Sequence, residues 1–237
     1  MNKDQEYTLQ WDVSAEYFYS KGYYAWMIEQ INSYNTIVEV GCGTGYSSLA
    51  LAKAGKKVIS IEKNVECIKK AQELLKDNSI SEEQVLILHG DIVEEEFRNK
   101  IVNEFDFDAV ICWNVGTTWS KEMMEYYLPH MLEYGLEGYQ IMQAPESSYA
   151  ELILWETCRL ARRKNAGDHI IERAGASLDA TAKRYYELLK EEFNYPKMIL
   201  NEIKADSISK GGRMLSTKGI PSTDKLIKIY FASVLFQ

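Results

Sequence analysis

The segment from Thr36 to Tyr46 constrains the fold of this chain more than any other. An apolar, β-branched run before its glycines predicts a buried strand, and the pattern after them predicts a helix. Between the two stand Gly41, Gly43 and Gly45. Glycines permit positive φ and close approach of a ligand, and the amides at a helix start point towards that ligand. The segment therefore predicts a strand, a tight turn and a helix that together cradle a ligand.

The residues around these glycines narrow the class of ligand. A dinucleotide fingerprint requires G-x-G-x-x-G, and Tyr46 stands where the third glycine belongs. A P-loop requires Gly-Lys-Ser/Thr, and no lysine follows Gly45. Glu39, just before the turn, repels a pyrophosphate and suits a cationic group such as an ammonium or a sulfonium.

The sequence Glu39-Val-Gly-Cys-Gly-Thr-Gly45 resembles motif I of the class I S-adenosylmethionine (SAM) dependent methyltransferases, and the similarity extends over residues 35–145. The resemblance implies SAM as the cofactor and transfer of its methyl group as the activity. It also implies that Glu39 and the turn hold the methionine half of SAM, the turn residues being Gly41, Cys42, Gly43 and Gly45.

Two later strand ends carry acids that fit this family. The second predicted strand ends at Glu62, 21 residues after the first glycine of the turn. A carboxylate there accepts hydrogen bonds from the two ribose hydroxyls of an adenosine, so Glu62 and the adjacent Lys63 are expected at the cofactor. Asp91 and Ile92 follow the third predicted strand. The resemblance implies that Asp91 bonds the adenine amino group and that Ile92 packs on the ring.

The fourth predicted strand ends at the switch point of a doubly wound sheet, where ligands bind. Asn114 follows it and is a candidate contact to the cofactor or acceptor, with a turn-forming role as the alternative. Thr117, Thr118 and Trp119 are candidates for the pocket wall. Enzymes of this fold that methylate the amino groups of DNA bases or glutamine carry Asp/Asn-Pro-Pro-Tyr/Phe here. The segment Trp113-Asn-Val-Gly116 lacks both prolines, which argues against that chemistry.

Residues 1–34 are rich in aromatic side chains and predict short helices separated near Gly22. They are expected to pack on the edge of the sheet, and the resemblance adds a role as a lid over the cofactor and substrate. Tyr19 and Tyr23, together with Trp119, are the candidate substrate contacts.

The pattern as a whole predicts one α/β domain over residues 1–237, with a doubly wound, Rossmann-like sheet of seven strands and helices on both faces. The sheet is expected to be mostly parallel with an antiparallel last strand. Residues 146–195 are predicted to be helices of the same domain, interrupted by a turn at Gly167-Asp-His169. The fifth, sixth and seventh strands are predicted at 139–144, 197–203 and 226–236. A long loop is predicted between the last two of them, at 207–224.

Composition excludes several other classes of protein. The four cysteines and three histidines are scattered, with no C-x-x-C pair, so no metal site is expected. Residues 91–156 carry 3 basic and 14 acidic side chains, which argues against nucleic acid as a partner. The sequence has neither an apolar run long enough to span a membrane nor an apolar N-terminal segment typical of a signal peptide, so a cytoplasmic location is expected.

The sequence leaves the methyl acceptor open between a small molecule and a peptide. It assigns no catalytic residue, because methyl transfer needs a general base only when the nucleophile holds a proton. His130, His169 and the N-terminal tyrosines remain candidates for that base. An NAD-dependent oxidoreductase and a SAM-binding protein without catalysis are the alternative functions. The oligomeric state is not indicated.

Overall fold

The computed structural model describes residues 3–116, 119–208 and 226–237. The helices within these ranges are numbered in chain order. They are α1 Lys3–Ser20, α2 Tyr23–Gln30, α3 Tyr46–Lys53, α4 Val65–Asp77, α5 Glu95–Glu104, α6 Lys121–Glu133, α7 Gly138–Gln143, α8 Pro145–Arg163 and α9 Ala180–Glu192.

The strands form a single sheet in the order β3-β2-β1-β4-β5-β7-β6. The first five strands of this order pair in parallel, and β7 runs antiparallel to both of its neighbours. The strands are β1 Thr36–Val40, β2 Lys57–Glu62, β3 Val85–His89, β4 Ala109–Trp113, β5 Gly167–Ala174, β6 Met198–Ile208 and β7 Leu226–Phe236. This arrangement confirms the predicted seven-stranded, doubly wound sheet.

Successive side chains along the central strands point to opposite faces of the sheet, so each face has its own hydrophobic core. On β1, Ile37 faces one core and Val38 the other, and on β4 Ile111 and Cys112 divide in the same way. Helices α1 to α4 cover the first face, and α5 to α9 cover the second. Because β1 and β4 are buried on both faces, their sequences read as continuous apolar runs, which is typical of parallel strands.

The predicted fifth strand is wrong. Residues 139–144 form most of helix α7, which buries Ile141 but leaves Tyr139 and Met142 more than 70% exposed. The alternation of apolar and polar residues here reflects a short surface helix with one anchoring side chain.

The true fifth strand lies at Gly167–Ala174, where a turn was expected. Asp168 and His169 are both fully buried in it, and distant segments supply the partners of the imidazole. His169 Nδ1 accepts a hydrogen bond from Trp113 Nε1 at 3.0 Å, and its Nε2 lies 2.8 Å from Ser233 Oγ. Residues 146–195 are therefore not purely helical, and α9 begins at Ala180.

Two further predictions concern the loop before the last strand and membrane-spanning segments. Most of the loop predicted at 207–224 lies outside the described residues. No helix in the described ranges is long and apolar enough to cross a membrane.

Candidate active site

A cavity of about 710 Å³ opens at the carboxyl ends of β1, β2, β3 and β4. Its floor is formed by the glycine turn after β1 and by the residues that follow β2 and β3. Helix α1 and helices α6 and α8 supply its walls through the side chains Tyr7, Trp11, Tyr126, Tyr127 and Tyr149. A cavity of this size at the switch point of a doubly wound sheet is where the fold binds its ligands.

The glycine turn has the backbone that the sequence predicts. Gly43 has φ +55° and Gly45 has φ +87°, values that side chains of L-residues rarely adopt. A Cβ at Gly45 would lie 2.8 Å from the Cβ of Ala71 on α4, and one at Gly43 would lie 2.3 Å from Trp11 Nε1. The turn is therefore pressed between α4 and α1, and only glycine fits at these two positions.

Glu62, at the end of β2, is held by two backbone amides. Its Oε2 accepts a hydrogen bond from the amide of Gly43, and its Oε1 accepts one from Asn64, both at 2.8 Å. Burial raises the pKa of Glu62, and these amides oppose that shift. The carboxyl group is thus fixed against the glycine turn, on the wall of the cavity, with acceptor capacity beyond these two bonds.

Asp91, after β3, lies in a small polar cluster on the wall of the cavity. Its Oδ1 accepts from the amide of Val93, and its Oδ2 accepts from the hydroxyl of Tyr127. Lys63 donates to the same tyrosine hydroxyl at 3.0 Å, and its Nζ lies 4.2 Å from the ring centroid of Tyr149. Burial lowers the pKa of Lys63, whereas the charge of Asp91 opposes that shift.

Asn114 stands in the left-handed region, with φ +58°, directly after β4. Its backbone amide donates to the carbonyl of Ile171 at 2.8 Å. The side chain is buried, yet neither Oδ1 nor Nδ2 has a partner among the described residues. A buried amide without partners is costly, so its position on the cavity wall indicates a polar ligand.

Several of the residues predicted for the site line this cavity, and others do not. Those on its wall are Gly41, Gly43, Glu62, Lys63, Asp91, Ile92 and Asn114. Glu39 is instead buried beneath the turn, where its carboxyl group accepts from Ser48 and Ser60. Its role is to fix the start of α3 to β1 and β2. Cys42 and Gly45 lie within the turn but off the cavity wall.

The predicted substrate contacts lie away from the cavity. The hydroxyl of Tyr19 accepts from Lys53, and that of Tyr23 accepts from the amide of Asp206 at 2.9 Å. Trp119 packs behind the cavity wall against Tyr127. Thr117 and Thr118 lie outside the described residues.

Sequence reasoning missed the residues that α1, α6 and α8 bring to the cavity. Asp4, Tyr7 and Trp11 recur at helical spacing on one face of α1, and Tyr7 donates to the carbonyl of Gly116 at 2.8 Å. The spacing of these three residues in the sequence indicates that they share one face of a helix, and this face covers the cleft. Nothing in the sequence indicates that Tyr149 on α8 reaches the cavity, because its position depends on helix packing.

No group of three or more His, Cys, Asp or Glu side chains in the described chain is arranged to hold a metal ion. Among the proposed bases, His169 is buried in the sheet with its pKa lowered to about 3 by desolvation. It is therefore neutral and remote from the cavity wall.

Comparison with known proteins bears on the identity of this site. The family model described as a methyltransferase domain matches residues 37–133, the part of the chain that carries the glycine turn, Glu62, Asp91 and Asn114. An rRNA adenine N-6-methyltransferase of Escherichia coli is 32% identical over 102 residues, which cover 42% of this chain and 38% of that protein. A probable protein arginine N-methyltransferase 6.1 of Oryza sativa subsp. indica is 32% identical over 65 residues, which cover 27% of this chain and 17% of that protein.

The chain thus matches well under half of the length of either curated relative. Among solved structures, a putative RNA methyltransferase of Pyrococcus horikoshii superposes with a TM-score of 0.50 at 14% identity, covering 92% of this chain and 81% of the other. At that identity the likeness concerns the fold alone. Over residues 37–133 the chain thus matches a methyltransferase domain, and its glycine motif and sheet topology are those of the class I SAM-dependent methyltransferases, whose methyl donor is SAM.

Proposed function

We propose that this protein transfers the methyl group of SAM to a small-molecule or peptide acceptor. The observation that carries the proposal is the buried amide of Asn114, which has no partner among the described residues and lies in the same cavity as Glu62 and Asp91. These groups follow β4, β2 and β3 respectively, so they are spread along one edge of the sheet. An elongated ligand with polar groups at intervals fits this arrangement.

The cavity fits the three parts of SAM. The methionine half of SAM can approach the backbone of the turn closely at Gly41 and Gly43, because neither position carries a side chain. Glu62 offers carboxylate lone pairs to the ribose hydroxyls, and Asp91 with Ile92 offers a polar and an apolar contact to the adenine. We assign these roles to the five residues as part of the proposal.

SAM supplies an activated methyl group, so the chain has to position an acceptor and exclude water. Alignment of two bound reactants can contribute as much as about 7–11 kcal/mol to lowering a barrier. Asn114 lies where β4 ends, and its amide can accept a hydrogen bond from the acceptor or donate one to it. The aromatic wall of Trp11, Tyr127 and Tyr149 limits access of water.

The charge around the cavity supports a small or peptidic acceptor. Asp4, Glu66, Glu94 and Glu122 all lie on its lining. An acidic rim attracts the cationic sulfonium of SAM and repels a phosphate backbone. The curated relatives are named for rRNA and for protein arginine, so RNA is a necessary arm of the test.

The experiment is transfer of label from methyl-tritiated SAM to cell extract separated into small-molecule, peptide and RNA fractions. The proposal predicts label in the small-molecule or peptide fraction with the wild-type chain and with Glu73→Ala, whose side chain is exposed on α4. It predicts less label with Glu62→Ala than with either of these proteins. Label confined to RNA contradicts the acceptor class. Binding of SAM without transfer to any fraction contradicts the activity.

A further inference from the structure

An arginine without an acidic partner among the described residues lies at the carboxyl end of β5. Trp113, the last residue of β4, pairs with Ile171, so Arg173 stands two residues beyond the end of β4. The bond between the amide of Asn114 and the carbonyl of Ile171 places the cavity residue Asn114 beside the same strand. Arg173 is therefore at the edge of the sheet where the fold binds its ligands, on the side of β4 opposite to β1.

The Arg173 guanidinium is partly buried among aromatic side chains. Its Cζ lies 5.2 Å from the ring centroid of Trp11, which is within the range of a cation–π contact. Burial lowers the pKa of Arg173, and the nearby hydroxyls of Tyr7 and Tyr24 oppose that shift. Trp11 and Tyr7 also line the cavity. Arg173 itself is not on the lining of that cavity, but its two neighbours on α1 are.

No ion pair joins this guanidinium to a carboxylate of the described chain, and its described neighbours are the aromatic side chains of Trp11, Tyr7 and Tyr24. Glu172, the adjacent acid on β5, accepts from the hydroxyl of Tyr186 on α9. A partly buried cation without an anion is costly, and aromatic rings compensate for it only in part. The planar fork of guanidinium donors matches the geometry of a carboxylate or a phosphate.

The charges along this edge of the sheet separate into two regions. The acids on the lining of the cavity include Glu66 on α4 and Glu94 before α5, beside β1 to β3. Arg173 stands on β5, beyond β4 in the sheet order. A cationic cofactor is therefore favoured on one side of Asn114 and an anion on the other.

We propose that Arg173 binds an oxyanion, a carboxylate or a phosphate, carried by the methyl acceptor. The inference rests on the proposed function and specifies its substrate class as a small anionic molecule. The oxyanion anchors the acceptor at β5, and the atom to be methylated faces Asn114 at the end of β4. The ring of Trp11, which lines the cavity and lies beside Arg173, favours an acceptor with a flat, apolar body next to its anionic group.

The test uses three probes of similar shape, namely benzoate, phenyl phosphate and the neutral benzamide. Binding to the full chain is measured by nuclear magnetic resonance line broadening of each probe. We expect benzoate or phenyl phosphate to bind at millimolar concentration and benzamide not to bind. Arg173→Gln should weaken that binding by roughly tenfold to a hundredfold, as expected for loss of charge-assisted hydrogen bonds. Arg173→Lys keeps the charge and should retain weaker binding.

Arg162→Gln is the matched control, because Arg162 also packs over an aromatic ring, that of Tyr195 at 5.1 Å, at the far end of α8. It should leave probe binding unchanged. A preference for benzoate identifies a carboxylate, and a preference for phenyl phosphate identifies a phosphate.

Two results would overturn the inference: equal binding of the anionic probes by wild type and by a folded Arg173→Gln, or binding of benzamide as tight as that of benzoate. SAM affinity is measured in the same samples. If SAM fails to bind to wild type while the anions do, the proposed function fails and the anion site stands.

Discussion

Asp168 gives a quantitative test of how the buried sheet accommodates a carboxyl group. The side chain is fully buried in β5, where Oδ2 is 3.4 Å from the hydroxyl of Tyr195 and Oδ1 has no partner in the described chain. Burial raises the pKa of Asp168 from 3.8 to about 7, and hydrogen bonds from Cys158 and Tyr195 oppose part of that shift. The change we consider is Asp168→Asn, which keeps the shape and removes the ionisation.

The sign of the effect follows from proton linkage. Between pH 3.8 and about 7 the folded chain keeps the Asp168 proton and the unfolded chain loses it. The folded state therefore binds more protons, and the contribution of Asp168 to the free energy of unfolding falls as pH rises. A shift of about 3 units corresponds to about 4 kcal/mol at most across this window. The side-chain amide in Asp168→Asn does not titrate, so the variant should gain stability relative to wild type as pH rises.

The assay is urea unfolding of both proteins at a series of pH values from about 4 to about 8, the window that the linkage defines. His169 titrates in the opposite sense, because burial lowers its pKa to about 3 and its stabilising contribution is lost as pH falls below 6.5. Since both proteins retain His169, the difference between them isolates Asp168. Asp77→Asn, at an exposed site on α4, is the control. Parallel stability curves for wild type and Asp168→Asn would show that burial does not raise the pKa of Asp168 in the folded chain.

Three further substitutions test contacts at the site and in the protein interior. Gly43→Ala places a methyl group 2.3 Å from Trp11 Nε1 and should lower the free energy of unfolding by about 1–3 kcal/mol more than Gly135→Ala, which has positive φ but open space. Arg98→Met leaves the carboxylate of Glu156 buried without the ion pair at 2.9 Å, and urea unfolding should show a loss of about 3–5 kcal/mol. Tyr127→Phe releases the Asp91 carboxyl group, so calorimetry should show tighter SAM binding. Weaker binding would contradict the assignment of Asp91 to the adenine.

The sequence predicted the parts of the site that depend on local chemistry. The turn at Gly43 and Gly45 has a backbone that few other residues adopt, and the acid at Glu62 follows a strand at a spacing that the fold imposes. Such features are encoded within short segments, so they can be read without knowledge of tertiary packing. The same holds for Asn114, whose position after β4 is fixed by the strand itself.

The parts that the sequence did not predict depend on packing between distant segments. Gly167-Asp-His169 has the composition of a turn, but it forms a buried strand because Trp113 and Ser233 satisfy the imidazole of His169. A Cβ at Gly167 would lie 2.4 Å from the ring of Tyr34, so this glycine serves close packing. Tyr19 and Tyr23 were expected in the cleft for their aromatic character, whereas the turn of α1 that carries Trp11 is the one that reaches it.

Binding of SAM in this cavity through Glu62 is tested most directly by a calorimetric titration of SAM into wild type, Glu62→Gln and Glu73→Gln. The structure places the Glu62 carboxyl group on the cavity wall, held by the amides of Gly43 and Asn64, while Glu73 is exposed on α4. We expect one SAM site per chain, unchanged affinity for Glu73→Gln, and affinity lower by roughly tenfold or more for Glu62→Gln, since the charged acceptor of the ribose hydroxyls is lost. Equal affinity of wild type and a folded Glu62→Gln would contradict binding through Glu62.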